Sequence, residues 1–163
     1  MSMATEELLN RTAAALPHFE AKKLHPIEKG GSSRRFFRIL SGEGDSVILV
    51  QDLGEKEENR HYASLAGFLD ARGVPVPAVL AEEPVAGLLW LQDLGETDLW
   101  SFRNEPWTVR RPFYESALSE ISRLHRIPVE EAADQGLRLQ REFDESLYRW
   151  EQEYFSEHCL GGL

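Results

Sequence analysis

Two short, turn-rich loops constrain this chain more than any other feature. Strand-forming runs occupy residues 25–29, 35–40 and 46–51, the last built on an unbroken aliphatic segment, Val47-Ile48-Leu49-Val50. Only Gly30-Gly31-Ser32-Ser33 and Ser41-Gly42-Glu43-Gly44-Asp45 separate them. Connections of that length and composition make hairpin turns, because a parallel pair needs a crossover of about a dozen residues or more. Residues 25–51 therefore read as an antiparallel meander.

Helical and extended patterns follow one another around this meander. Leu8, Leu9, Thr12, Ala13 and Leu16 fall on one side of an opening helix that stops at Pro17. Tyr62, Leu65, Ala66 and Leu69 recur at helical spacing, with Gly73 where a left-handed cap would close the turn. Val74-Pro75-Val76-Pro77 holds the next stretch extended, and strands are expected at 78–82 and 87–92. Beyond Asp93 the pattern is helical. Pro112 is expected in a first turn ahead of a Phe113, Ala117, Leu118, Ile121, Leu124 stripe, and a last helix carries Phe143, Leu147, Trp150 and Tyr154. Trp100, Phe102, Trp107 and Phe113 read as core, with the edge of an acceptor pocket as the alternative.

Charge narrows the partners. The 163 residues hold 28 acidic and 18 basic side chains, a formal net charge of -10, so the summed field repels phosphodiester backbones and anionic membranes. Neither nucleic acid nor membrane is an expected partner. Cys159 is the sole cysteine, and no apolar run approaches the roughly 20 residues that cross a bilayer, which points to a cytoplasmic protein. His18, His25, His61 and His158 show no ligand spacing with Cys159 or each other, and His125 reads as a helix-end cap, so no protein-bound metal is expected.

Several local sequences, in order, resemble a known family. They are Lys29-Gly30-Gly31-Ser32-Ser33-Arg34-Arg35-Phe36-Phe37-Arg38, Arg72-Gly73-Val74-Pro75-Val76-Pro77, Leu88-Leu89-Trp90-Leu91-Gln92-Asp93-Leu94-Gly95 and Arg123-Leu124-His125. From about Leu24 onward the chain resembles the aminoglycoside phosphotransferase family, and within it the bacterial cell-wall amino-sugar kinases. The resemblance implies an α+β fold: a protein-kinase-like N-lobe, with a five-stranded antiparallel sheet plus helix over residues 1–93, then the first helices of an incomplete α-helical C-lobe over 94–163. It also implies ATP with Mg²⁺ as cofactors and a sugar or aminoglycoside-like acceptor.

Residue roles follow from the same resemblance. Gly30, Gly31, Ser32 and Ser33 would cradle the phosphates with backbone N–H groups, where the bland alternative is an ordinary hairpin turn. Arg34, Arg35 and Arg38 lie beside that loop, but strand alternation sends Arg35 to one face and Arg34 and Arg38 to the other, so not all can reach one ligand. Arg35 is the candidate carried forward. Val50, Leu89 and Trp90 would wall the adenine, and the main chain of Leu91 and Asp93 would read it. The alternative for that stretch is simply a core strand and a turn.

Two departures bear on function. The third-strand lysine of kinases falls on Val50, and its helix glutamate partner falls near Tyr62, so both halves of that ion pair are missing together. No segment after Gly95 resembles a catalytic loop or a metal-binding aspartate, and Asp134 and Asp144 read as surface charge. The expectation is the ATP-binding portion of a small-molecule phosphotransferase, truncated and silent alone; a non-catalytic binding module for a nucleotide or protein partner is the alternative. The uncovered Phe143, Leu147, Trp150 and Tyr154 stripe is expected to drive homo-oligomer formation or aggregation.

Overall fold

The computed structural model describes residues 3–27, 34–52, 61–137, 139 and 142–161. The chain opens with helix α1 (Thr5–Ala15) and runs through strands β1 (Ala21–Ile27), β2 (Arg35–Ser41) and β3 (Ser46–Gln51). Helix α2 (Tyr62–Asp70) leads to β4 (Val79–Glu83) and β5 (Leu88–Gln92), after which come α3 (Trp107–Leu124), α4 (Val129–Asp134) and α5 (Glu145–Phe155). The strands form one sheet in the order β1-β2-β3-β5-β4, with every neighbouring pair antiparallel. The fold is α+β, as the element order implies.

Turn chemistry explains the joints. Between β2 and β3, Gly44 takes φ +97°, and the Ser41 hydroxyl accepts from the Glu43 and Asp45 N–H groups. After α2, Gly73 is left-handed, its N–H reaches the Asp70 carbonyl, and the Val74 N–H reaches that of Leu69. Those two bonds with the buried Val74 make a complete Schellman close, at the glycine where the sequence pattern put the cap.

The core lies between α1 and one face of the sheet. Phe37, Ile39, Val47, Leu49, Leu88 and Trp90 point there, and Leu8 of α1 closes over them. Trp90 is fully buried, and its indole N–H donates to the Thr12 hydroxyl at 2.9 Å. That hydroxyl donates in turn to the Leu8 carbonyl, while Arg11 pairs with Glu83 at 2.5 Å. Thr12→Val should cost about 2 kcal/mol by stranding the indole N–H without an acceptor, while Thr12→Ser should cost well under half as much. Chemical denaturation of the two variants checks this; equal losses would show that shape, and not the hydrogen bond, decides.

Some boundaries differ from the sequence expectation. Strand β1 begins at Ala21 rather than residue 25, because Lys22 and Lys23 mask an exposed edge strand whose pairing to β2 extends that far. Strands β4 and β5 each start one residue later than expected; at β5 Gly87 turns left-handed instead of joining the ladder. Helix α3 starts at Trp107 behind Pro106, so Pro112 lies inside it and not in its first turn. Its Phe113, Leu118, Ile121 and Leu124 are exposed, as are Trp100 and Trp107, so of that aromatic group only Phe102 is half-buried and the other three are surface. Asp144 caps α5 by accepting from the Leu147 N–H, which puts Phe143 ahead of the helix and gives Asp144 a structural role. Along α5 Trp150 and Tyr154 are exposed.

Two polar ties fasten the later helices to α2. Arg72 stacks on the Phe68 ring and pairs with Glu131 of α4 at 2.8 Å, and Arg123 of α3 donates to the Gly73 carbonyl. Among the described residues no helix is long and apolar enough to cross a membrane.

Candidate functional site

The sheet face turned away from α1 is apolar but not covered in the same way. Register places Ile27 opposite Phe36, Phe36 opposite Val50, and Val50 opposite Leu89. It also sets Arg38 opposite Ile48 and Ile48 opposite Leu91. Directly opposed residues share a face, so these side chains form one continuous wall with Arg38 set into it.

Two cavities open on this wall. The larger, about 740 Å³, has Ile27, Phe36, Ile48 and Leu91 on one side and residues 92–98 on the other. The smaller, about 300 Å³, runs toward α2 and is lined by Val50, Leu89 and Tyr62, with Arg34, Asp52 and Glu82 adding charge. Phe36 and Leu91 border both. Volumes of this order, apolar walls and a few polar groups are what small-molecule sites share.

A polar clamp holds the segment after β5 against the sheet. The Arg38 guanidinium donates to both Asp93 oxygens, at 2.5 and 3.1 Å, and also to Glu96. Asp93 further accepts from the Ser46 hydroxyl and the Gly95 N–H, each at 2.8 Å. Only 4% of the Asp93 side chain and 18% of Arg38 is exposed. The hydrogen bond from Arg38 holds the Asp93 carboxyl below the usual carboxylate range; burial opposes the shift, and the Gly95 and Ser46 bonds add to it. Gly95 takes φ +83° at the turn. Among the described residues the Leu94 main chain makes no hydrogen bond.

The residues singled out from sequence land unequally. Val50 and Tyr62 both line the smaller cavity, at and near the two positions where a kinase ion pair would fall. Leu91 contributes its side chain to both cavities, but it pairs with Ile48 and Val79 inside an interior strand, so its main-chain groups belong to the ladders. Asp93 follows the strand and lines the larger cavity, held through its side chain.

Two assignments need correction. Trp90 points to the opposite face and is core against α1, so Leu89 and Leu91 wall the cleft in its place. Arg35 also faces away from the cleft and lies over the Phe37 ring, whereas Arg34 lines the smaller cavity. Gly30, Gly31, Ser32 and Ser33 lie outside the described residues. Sequence reading missed Ile27, Phe36 and Ile48 as cleft residues. Counting by twos from Val50 finds Ile48, but Ile27 and Phe36 depend on a register that no local signal reveals. No cluster of three or more His, Cys, Asp or Glu suited to a metal occurs among the described residues.

Comparison with known proteins places these features. The chain is 39% identical over 67 residues to an N-acetylmuramate/N-acetylglucosamine kinase of Caulobacter vibrioides, covering 41% of this chain and 18% of that protein. A kinase of the same name from Pseudomonas aeruginosa is 36% identical over 73 residues, covering 45% of this chain and 21% of its own length. The matched segments thus span about a fifth of those relatives. A solved structure from Thermobifida fusca, assigned provisionally as a fructosamine-3-kinase, aligns at a TM-score of 0.42 and 13% identity, over 58% of this chain and 33% of its own. The family model for phosphotransferase enzymes, APH, matches residues 23–159. Its five-stranded antiparallel sheet has α2 inserted before β4, and the chain belongs to the phosphotransferase enzyme family.

Proposed function

We propose that this chain carries the nucleotide-binding portion of an ATP-dependent small-molecule kinase whose acceptor is an amino sugar. The observation that carries the reading is the larger cavity, where the Ile27, Phe36, Ile48 and Leu91 wall faces the 92–98 segment. A purine is flat and apolar on its faces but polar at its edge, and that pairing of wall and main chain suits both. Asp93 and Leu94 both line this cavity, and their main chain would read the base edge. Support for an amino-sugar acceptor comes from the two relatives, whose names state that chemistry.

ATP would supply the phosphoryl group, and Mg²⁺ would offset its charge while held mainly by the phosphates themselves. Arg34, on the smaller cavity, would meet the phosphate tail. Val50 and Tyr62 leave that region without the lysine and glutamate that kinases place there, and this favours a second reading in which the lobe binds nucleotide without chemistry. Because this portion is expected to be silent alone, assay of phosphate transfer from ATP to N-acetylglucosamine and N-acetylmuramate by the longest protein that carries it separates the two.

Calorimetric titration of the full chain with ATP and Mg²⁺ tests nucleotide binding itself. Ile48→Trp, which fills the cavity from a half-buried strand position, should weaken ATP by about tenfold, or about 1.4 kcal/mol. A wild-type chain with no response to millimolar ATP would end the nucleotide reading.

A further inference from the structure

We infer that Arg38 is a positioning residue for the base end of the nucleotide, acting through the connector and not through phosphate. The inference rests on the nucleotide reading of the larger cavity. An arginine close in sequence to Gly30-Gly31-Ser32-Ser33 invites a phosphate role, because its fork suits phosphate oxygens. Each of its three nitrogens already donates within the protein. Nε and Nη2 are spent on Asp93 and Nη1 on Glu96, in a site where four-fifths of the side chain is covered.

The consequence falls on residues 93–96. Asp93 is anchored to β2 through Arg38 and to β3 through Ser46, and it fixes the turn by accepting from Gly95. Glu96 is drawn to the same guanidinium. Leu94 lies between these tethered points, with its main chain unengaged among the described residues. A base-reading backbone has to be held in one place before the ligand arrives, since every alternative placement lowers the fraction of molecules competent to bind. Arg38, half-buried in the wall and tied to both ends of the turn, supplies that fixation.

Adenosine and ATP separate the two roles, because they share the base and differ in the phosphates. The full chain and its variants are titrated with each, well below their unfolding transitions. Arg38→Met should weaken both ligands by about tenfold, as a competent fraction reduced to about a tenth requires. Arg38→Lys keeps the charge but not the fork, and should weaken both by about threefold; it carries the test if the methionine variant does not fold. Thr12→Val, which destabilises from the opposite face, should leave both affinities within about twofold. Loss confined to ATP would make Arg38 a phosphate ligand and overturn the inference, as would unchanged affinity for both in the Arg38 variants. A wild-type chain that binds neither ligand would overturn the nucleotide reading and this inference with it.

Discussion

Gly87→Ala should destabilise the protein by about 3 kcal/mol, a large share of what holds a domain of this size together. Gly87 is left-handed at φ +65°, where an alanine costs about 1–2 kcal/mol. The larger part is steric. A Cβ at this position would fall within contact distance of the Asp52 carbonyl oxygen, which is backbone and cannot swing aside. The same two residues are joined by a hydrogen bond from the Asp52 N–H to the Gly87 carbonyl at 2.8 Å, so moving apart forfeits that bond. Gly87→Asn distinguishes the causes, because asparagine tolerates left-handed backbone better but still carries a Cβ. Equal losses for Ala and Asn in urea unfolding would assign the effect to the close approach; a near-neutral Asn would assign it to φ alone and rule out the steric cause.

Asp93→Ala should cost about 3 kcal/mol at neutral pH. Among the described residues it leaves Arg38 largely buried with only Glu96 to face it, and it takes the acceptor from both Ser46 and the Gly95 N–H. The pH dependence has a definite sign. The carboxyl of Asp93 is held lower in the folded protein than in the unfolded chain, so its contribution is complete above the ordinary carboxylate value near about 4. It disappears as pH falls through the lowered folded value. The stability gap between wild type and Asp93→Ala should therefore stay constant from about pH 7 to about pH 5 and narrow only below about 4. Denaturation midpoints across that range measure it, and a gap that changes around neutrality would show that another group controls the clamp.

Local chemistry made much of this fold legible. Hairpin loops dictated the meander, Gly73 ended α2 where it should, and the aliphatic run at Val47 to Val50 was a central strand. What stayed hidden depends on pairing between distant segments. Strand alternation sorted Arg34 from Arg35 correctly, yet it could not say which face would be core, because that depends on where α1 docks. Trp90 shows the same gap: its size and position suited an adenine wall, and only the Thr12 hydroxyl 78 residues away reveals that it belongs to the other side. Asp93 was noticed for its main chain, whereas its carboxylate does the structural work through a partner 55 residues distant. Helix α3 misled differently, since an apolar stripe predicts burial without saying whether a covering surface exists among the described residues, whereas the stripe that includes Trp150 and Tyr154 of α5 was read as uncovered and these two side chains are exposed.

The opening helix has a practical meaning for anyone cutting this gene. Similarity to the family starts at residue 23, yet Leu8 and Thr12 seal the rear of the sheet. A fragment trimmed to the homologous stretch would carry every motif and still present Trp90 and Leu49 to water, so its poor behaviour in solution would say nothing about nucleotide affinity. Limits drawn by resemblance and limits drawn by cooperative folding differ in this chain by one helix.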